Sequence, residues 1–220
     1  MKLLVLGAGG GVGTHLVSYA LQRGHSVTVL LRPERQVELP PEVKVVRGTF
    51  SDATSLLTAL EGVDAVFSSV GMQRKQPWNP FSSASSPRNL CSHMASRLVA
   101  GMTEMGVKRV VAVSAAGVGD SAEGLNPMMR AALSSTMIGD AYRDLGHMEE
   151  VFTASKLDWL CPRPTRLTNG PGNGRIVVVD EFATGASISR ANVAIWMLDT
   201  LLVSWWPSPI WVTRTPQISE

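Results

Sequence analysis

The feature that most constrains this chain is a cluster of glycines near its start, between an apolar run and a helix-like segment. Residues 3–6 carry no charge, which is typical of a strand buried on both faces of a parallel sheet. Glycines follow at positions 7, 9, 10, 11 and 13, and residues 14–22 then show apolar side chains at helical spacing. A strand, a glycine turn and a helix in this order are the context in which a dinucleotide-binding turn is expected.

Two spacings fit these glycines. Gly7 and Gly9 begin a G-x-G-x-x-G motif whose third glycine position is occupied by Val12. Gly7, Gly10 and Gly13 instead form G-x-x-G-x-x-G, and we prefer this second interpretation. The alternative to both is a flexible glycine turn that binds no ligand.

The chemistry of a phosphate-binding turn explains why glycines are needed here. A tight turn requires a residue that can take a positive φ angle, and a pyrophosphate approaches backbone N–H groups only where no Cβ intervenes. The helix N-terminus adds unpaired N–H donors and a partial positive charge. We therefore predict that the nucleotide pyrophosphate binds at Gly7, Gly9, Gly10, Gly11, Val12 and Gly13.

The end of the second predicted strand, residues 27–31, bears on the choice of dinucleotide. NAD-specific folds place an acidic residue about 20 positions after the glycines, where it binds the ribose 2′-hydroxyl. Here that place holds Arg32, and the first carboxylate is that of Glu34. A guanidinium pairs well with a phosphate, so the sequence favours NADP(H), with NAD(H) possible. The alternative is an exposed arginine at a strand end.

Composition narrows the class of protein. The 220 residues and 45% hydrophobic content suit one α/β domain, residues 1–220, in which the chain after about residue 115 forms most of the substrate side. A net charge of +2 gives no reason to expect nucleic acid as a partner. No segment approaches the ~20 apolar residues of a membrane span. Cys91 and Cys161 are expected to be core thiols, which favours the cytoplasm, and the histidines show no metal-binding spacing.

Strand and helix patterns alternate along the chain, which predicts a doubly wound parallel sheet with helices on both faces and a small C-terminal lobe. Residues 75–86 form a loop with Trp78 and Phe81, and this loop either covers a substrate or is a plain connection. Ser51 or Asp52 is predicted to cap the helix at residues 53–60, and Ser189 the helix at residues 191–205. The remaining predicted strands are 43–47, 65–70, 107–113, 157–161, 175–179 and 209–212, and the remaining helices are 53–60, 86–105, 128–154 (broken near Gly139 or Gly146) and 191–205.

The motifs together resemble atypical short-chain dehydrogenases and reductases, in the NAD(P)H-binding group that includes NmrA-like proteins and biliverdin reductase B. Many members carry a Ser-Gly-Leu-Asp-Tyr-like run that ends in Arg-Pro, and this chain has Ser-Lys-Leu-Asp-Trp-Leu-Cys-Pro-Arg-Pro at residues 155–164. The likeness covers most of the chain. The resemblance also rests on Gly7, Gly10, Gly13, Arg32, the turn at Gly48, and Ser114 after the fifth strand.

The resemblance implies a role for each site residue. Arg32 would bind the adenosine end, Thr49 and Phe50 would flank adenine, and the nicotinamide would lie beside Ser114. Arg35 is a further candidate for cofactor binding. The ribose would be lined by Val70 and Gly71, and the nicotinamide would be backed by Pro164, Thr165 and Arg166. The implied partner is a small aromatic substrate, and the implied assembly is a monomer or a homodimer.

The chain departs from the resemblance where the superfamily places its catalytic pair, Tyr-x-x-x-Lys. Tyr142 has Gly146 four residues later, so no lysine lowers the pKa of its phenol. His147 is a second candidate for proton transfer. Thr49 stands where many relatives have Asp, and Gly9 where many have Thr. Ser114 has no evident His–Asp partner, so we expect it to contact the cofactor or the substrate rather than act as a nucleophile.

Three hypotheses follow. The first is an NADP(H)-dependent oxidoreductase that passes hydride to or from a flat aromatic, quinone-like or flavin-like substrate. The second is a tailoring enzyme of secondary metabolism on the same scaffold, possibly oxygen-inserting and acting on a polycyclic aromatic polyketide. The third is an NmrA-like sensor of dinucleotide redox state that binds a protein partner, which the missing lysine at position 146 supports.

Overall fold

A computed structural model of the chain describes residues 1–73, 75, 85–124, 137–179, 185–202 and 217–220. Its centre is a six-stranded sheet in the order β3-β2-β1-β4-β5-β6, in which every neighbouring pair is parallel. This arrangement confirms the predicted doubly wound fold. The strands are β1 Lys2–Leu6, β2 Ser26–Leu31, β3 Lys44–Arg47, β4 Ala65–Ser68, β5 Arg109–Ala112 and β6 Asp158–Leu160.

Helices cover both faces of the sheet. They are α1 Gly11–Gln22, α2 Ala53–Leu60, α3 Leu90–Met105, α4 Met137–Thr153 and α5 Arg190–Leu202. The alternation along β1 explains the two layers. Leu3 and Val5 are buried against α1 and α5, whereas Leu4 and Leu6 are buried against α2, α3 and α4.

The chain beyond β6 builds smaller structures at the C-terminal side. Strand β7 (Arg163–Pro164) pairs with β11 (Gln217–Ser219), which pairs with β9 (Val177–Val179). Strand β8 (Arg166–Thr168) pairs with β10 (Ser187–Ser189). A 3₁₀ turn spans Gly119–Gly124. That residues 1–220 make one domain, with the later part on the substrate side, stays a prediction.

The predicted helix ends are partly right. Gly24 follows α1 with φ +75°, Gly106 ends α3 with φ +70°, and the Asp52 side chain caps α2 by accepting from the Ser55 N–H. Ser189 caps α5, because its Oγ accepts from the Asn192 N–H at 3.1 Å. Helix α1 begins at Gly11 rather than Thr14, and α3 begins at Leu90, four residues later than predicted.

The predicted break near Gly139 or Gly146 is wrong. Helix α4 runs through both glycines without interruption from Met137 to Thr153. Its buried side chains Met148 and Phe152 belong to the core on that face of the sheet, and this packing outweighs the low helix propensity of glycine.

Several predicted segments lie outside the described residues. They are Trp78 and Phe81, the start of the helix predicted over 128–154, the end of the helix predicted over 191–205, and the strand predicted at 209–212. Among the helices that the structure describes, none has both the length and the apolar character of a membrane span. The described His, Cys, Asp and Glu residues form no cluster of three that could hold a metal ion.

Candidate functional site

A cleft of about 610 Å³ opens at the carboxyl ends of β1 and β4, where the strand order reverses direction. This switch point is where open α/β sheets bind their ligands. The cleft is lined by residues of the glycine turn, of the loops after β2, β3, β4 and β5, and of the C-terminal lobe. From the glycine turn come Gly7, Gly9, Gly10, Gly11 and Val12; from the loops come Arg32, Arg35, Thr49, Phe50, Ser69, Val70, Gly71, Met72 and Ser114; and from elsewhere come Pro87, Leu90, Leu145, Leu167 and Arg190, among others.

The glycine turn is closely packed on one side and open on the other. Gly7 has φ +82°, and a Cβ there would lie 2.9 Å from the Ser69 carbonyl carbon. A Cβ on Gly13 would collide with the Gly7 carbonyl oxygen, so this glycine permits the close approach of α1 to β1. At Gly10 a Cβ would have only the Gly7 oxygen within 4 Å, at 3.2 Å. The open side of Gly10, at the N-terminus of α1, fits a phosphate group.

The adenosine end predicted from the sequence has two arginines in the cleft. The Arg35 guanidinium donates to the Gly9 carbonyl at 3.3 Å, and the Arg47 side chain holds the Arg35 carbonyl at 2.7 Å. Arg32 lies 3.4 Å from Glu34, and more than half of both side chains is exposed. The ion pair of Arg32 and Glu34 therefore lies at the surface, and the Arg32 side chain remains in contact with solvent.

The opposite end of the cleft carries Ser114, which is 5% exposed. Its Oγ donates a hydrogen bond of 2.5 Å to Oε1 of Glu149, a buried residue of α4. The loop that carries Ser114 is fixed by the segment after β6, because the Ser114 N–H donates to the Pro162 carbonyl at 2.9 Å and the Ala116 N–H to the Pro164 carbonyl at 3.0 Å.

Glu149 and Arg163 form a buried ion pair, extended to the exposed Asp120, that the sequence did not predict. Arg163 contacts both oxygens of Glu149, at 3.0 Å through Nε and 2.5 Å through Nη2, and also pairs with Asp120. Burial alone would lower the pKa of the Arg163 guanidinium, but its bonds to Glu149 and Asp120 outweigh burial and raise it. The pKa of Asp120 is lowered by its hydrogen bond from Arg163. Arg163 thus stays charged and holds the Glu149 carboxylate that Ser114 contacts.

This network settles which atoms of Ser114 are available. The hydroxyl hydrogen points to a carboxylate, which accepts only, so the lone pairs of Oγ are left to accept from a ligand in the cleft. A signal for Glu149 did exist in the sequence. It shares the spacing of Leu145, Met148 and Phe152 along α4, and an acid on such an apolar face requires a buried partner.

The structure does not bring every predicted residue into the cleft. Tyr142 is half-buried on α4, and burial raises the pKa of its phenol. His147 is exposed, and neither ring lines the cleft. Gly13, Pro164, Thr165 and Arg166 do not line the cleft either. Pro164 and Thr165 are buried beside β11, and Arg166 is exposed. The roles assigned to these residues stay predictions.

The charged side chains that line the cleft are all positive in the described part of the chain. Among the described residues, its charged lining side chains are Arg32, Arg35 and Arg190, with no acid and no lysine. A cleft with two arginines at its adenosine end and a third beside the open glycine turn fits a ligand that carries several phosphates. The described residues therefore fit a dinucleotide.

A comparison with protein families agrees with this geometry. A family model described as NAD(P)H-binding matches residues 7–202, which include every cleft residue named above. The chain belongs to this NAD(P)H-binding family. Its resemblance to atypical short-chain reductases is confirmed by the same match and by the relatives below.

Individual relatives are more distant. The chain is 27% identical over 204 residues to a bifunctional pinoresinol-lariciresinol reductase of Linum usitatissimum, an alignment that covers 82% of this chain and 61% of the relative. The chain spans between 18% and 25% of the length of the first curated relatives that it matches.

Solved structures share the fold. ChuY, an anaerobillin reductase from Escherichia coli O157:H7, superimposes with a TM-score of 0.75 at 21% identity, covering 99% of this chain and 96% of that one. A short-chain dehydrogenase/reductase from Veillonella parvula in complex with NADP gives a TM-score of 0.77 at 17% identity, covering 100% and 94%.

Proposed function

We propose that this protein is an NADP(H)-dependent oxidoreductase whose substrate is a flat, conjugated molecule of the aromatic, quinone or flavin kind. Membership of the NAD(P)H-binding family supports the cofactor, and the reductase names of its relatives support the reaction class. The observation that carries the proposal is the polarity of the cleft, with arginines at its adenosine end and a buried serine hydroxyl at the other.

The preference for NADP(H) rests on Arg32 and Arg35. Both side chains line the same end of the cleft, and no described acid lines that end to bind a ribose 2′-hydroxyl. Glu34 pairs with Arg32 but does not line the cleft. A 2′-phosphate would give both guanidinium groups an anionic partner, which a bare ribose does not.

When bound, the dinucleotide would supply the hydride at C4 of its nicotinamide ring. Ser114 would orient that ring, because its Oγ could accept from the carboxamide NH₂ while the serine hydroxyl continues to donate to Glu149. Arg163 holds Glu149, and the Pro162 and Pro164 carbonyls hold the loop. The residues of this end therefore act mainly by positioning the reactants.

The proposed substrate class is supported by the lack of a general acid or base side chain among the described residues of the cleft. No Tyr, His, Lys, Asp or Glu lines the cleft in the described part of the chain, and the Ser114 hydrogen is committed to Glu149. A substrate that accepts hydride into a conjugated system and takes its proton from water suits such a site. The apolar lining residues Met72, Pro87, Leu90, Leu145 and Leu167 provide contact area for a flat ring system.

The test is steady-state oxidation of NADPH and NADH by a panel of quinones and flavins, with an unreactive flat aromatic as the blank. We expect turnover that is faster with NADPH at limiting cofactor. In Arg32→Asp the order should reverse or level, because the 2′-phosphate then faces a carboxylate. Tight NADPH binding without turnover of any acceptor would contradict the proposal and favour the sensor hypothesis.

A further inference from the structure

We propose that Arg190 is a second anchor for the cofactor pyrophosphate, facing the glycine turn from the C-terminal lobe. This inference needs only the dinucleotide binding that the family shares, and it does not depend on the hydride transfer proposed above. Arg190 is the first residue of α5, and it lines the same cleft as Gly9, Gly10 and Gly11.

The Arg190 side chain lies directly against the first residue of α1. A Cβ on Gly11 would come within 2.5 Å of Arg190 Cδ and 2.9 Å of Nε, so the absence of a side chain at position 11 is what admits the arginine. The guanidinium is held by one nitrogen, Nη1, which donates to the Thr168 carbonyl at 3.1 Å and to Asn169 Oδ1 at 2.6 Å. A tethered guanidinium is thereby placed beside the N–H groups that open α1.

The charge of Arg190 lacks a counter-ion in the described part of the chain. Its partners there are a carbonyl and an amide oxygen, and Nε and Nη2 have none. The carboxylates on and beside α5 have other partners. Asp199 pairs with Arg23, and Glu220 Oε1 accepts from the Ser189 N–H and from the Asn192 side-chain amide. An anion at the glycine turn would supply the missing partner, and the planar fork of an arginine suits a pyrophosphate oxygen pair.

The position of Arg190 separates its role from that of the other two arginines. Arg32 directly follows β2 and lies at the adenosine end, whereas the Arg35 guanidinium donates to the Gly9 carbonyl at the beginning of the turn. Arg190 approaches Gly11 at the end of the turn. Arg190 is therefore assigned to the pyrophosphate, which NADPH and NADH share, and Arg32 to the 2′-phosphate, which only NADPH carries.

The experiment is a crossed titration by calorimetry, using NADPH, ADP-ribose and adenosine 2′-monophosphate. ADP-ribose has the pyrophosphate without the 2′-phosphate, and adenosine 2′-monophosphate has the reverse. In Arg190→Met, affinity for NADPH and ADP-ribose should fall about tenfold to a hundredfold, the usual effect of one lost charged hydrogen-bond partner, while adenosine 2′-monophosphate binds as before. Arg32→Met should show the opposite pattern, losing adenosine 2′-monophosphate and sparing ADP-ribose.

Two further variants serve as controls for the effect of Arg190→Met. Arg190→Lys keeps the charge and should recover part of the affinity for ADP-ribose, whereas Arg97→Met removes an exposed arginine of α3 outside the cleft lining and should change nothing. Unchanged ADP-ribose affinity in Arg190→Met would overturn the inference, as would an equal loss of all three ligands with a lowered melting temperature. The expected ligand pattern in a protein that reduces no acceptor would uphold it while rejecting the oxidoreductase proposal.

Discussion

At the scale of single residues, the hydrogen bond from Ser114 to Glu149 determines which further hydrogen bonds the serine hydroxyl can make. A serine that donated into the cleft would polarise a substrate carbonyl, but this one donates to a carboxylate that Arg163 keeps in place. In the proposed mechanism its Oγ is therefore left to accept a hydrogen bond. Tyr142 is half-buried elsewhere on α4 and does not line the cleft.

Two substitutions should therefore differ in effect on single-turnover oxidation of bound NADPH by a quinone. Tyr142→Phe should lose less than about tenfold in rate, well short of the roughly 10²–10⁴ that a full general acid contributes. Ser114→Ala should lose up to about a hundredfold, because small misplacements of the reacting atoms are costly. A thousandfold loss in Tyr142→Phe beside near-normal Ser114→Ala would restore the tyrosine as the proton donor.

A double-mutant cycle tests whether Glu149 works through the serine. Glu149→Gln should slow the reaction in the wild-type background and have little further effect in Ser114→Ala, since the contact to be oriented is already absent. Equal losses in both backgrounds would show that Glu149 affects turnover by another route. Because Arg163 is left without its buried partner, the unfolding free energy of each variant has to be measured alongside.

At the scale of elements, the turn between β1 and α1 contains glycines with different functions. Gly10 has extended backbone angles, φ −95° and ψ 166°, that any residue adopts, and its Cβ direction is open except for the Gly7 oxygen. We expect Gly10→Val to fold and to lose NADPH binding, because the side chain occupies the phosphate position. Fluorescence titration with NADPH measures this, and retained affinity would mean that the glycine serves only the turn.

Gly13→Ala is the matched substitution within the same turn. Its Cβ would collide with the Gly7 carbonyl, so α1 would have to move away from β1. Overpacking of this kind typically costs about 1–3 kcal/mol of unfolding free energy. Gly10→Val should therefore change binding and not stability, and Gly13→Ala should change stability first.

The N-terminus of α3 is capped by a carboxylate of α4. Asn89 precedes α3 without a capping side-chain bond, and Asp144 of α4 accepts instead from the Cys91 N–H at 2.7 Å, the Ser92 N–H at 2.9 Å and the Ser92 hydroxyl at 2.6 Å. This contact also sets one wall of the cleft, because Leu90 and Leu145 adjoin it and line that wall.

Asp144→Ala should lower the unfolding free energy by about 3 kcal/mol, because it leaves buried donors of α3 without an acceptor. Urea denaturation is the measurement. Glu150→Ala removes an exposed acid from the same helix and should change the midpoint little. Similar midpoints for the two variants would mean that water replaces the Asp144 cap at no cost.

At the scale of the whole molecule, sequence reasoning succeeded where the signal is local. The apolar run of β1, the glycines after it and Arg32 lie within one βαβ unit, and the alternation of strands and helices correctly predicted the parallel sheet. Ser114, Glu149 and Arg163 are separated by 35 and 14 residues and meet only through packing, so no spacing rule joins them. Local propensity likewise misjudged α4, where tertiary packing keeps Gly139 and Gly146 helical.

The cleft also links distant parts of the chain, since Gly7 and Arg190 line it together. The unfolded chain has no such site, so NADPH should stabilise the folded state by mass action. At a free concentration a hundred times the dissociation constant the gain is about 2.7 kcal/mol, which raises the melting temperature of a protein of this size by about 5–10 °C. NADH at the same concentration should raise it less, because Arg32 and Arg35 gain no 2′-phosphate. Differential scanning fluorimetry measures both shifts, with Gly10→Val as the control that should show neither. An equal NADPH shift in that variant would place the ligand away from the glycine turn and contradict the site.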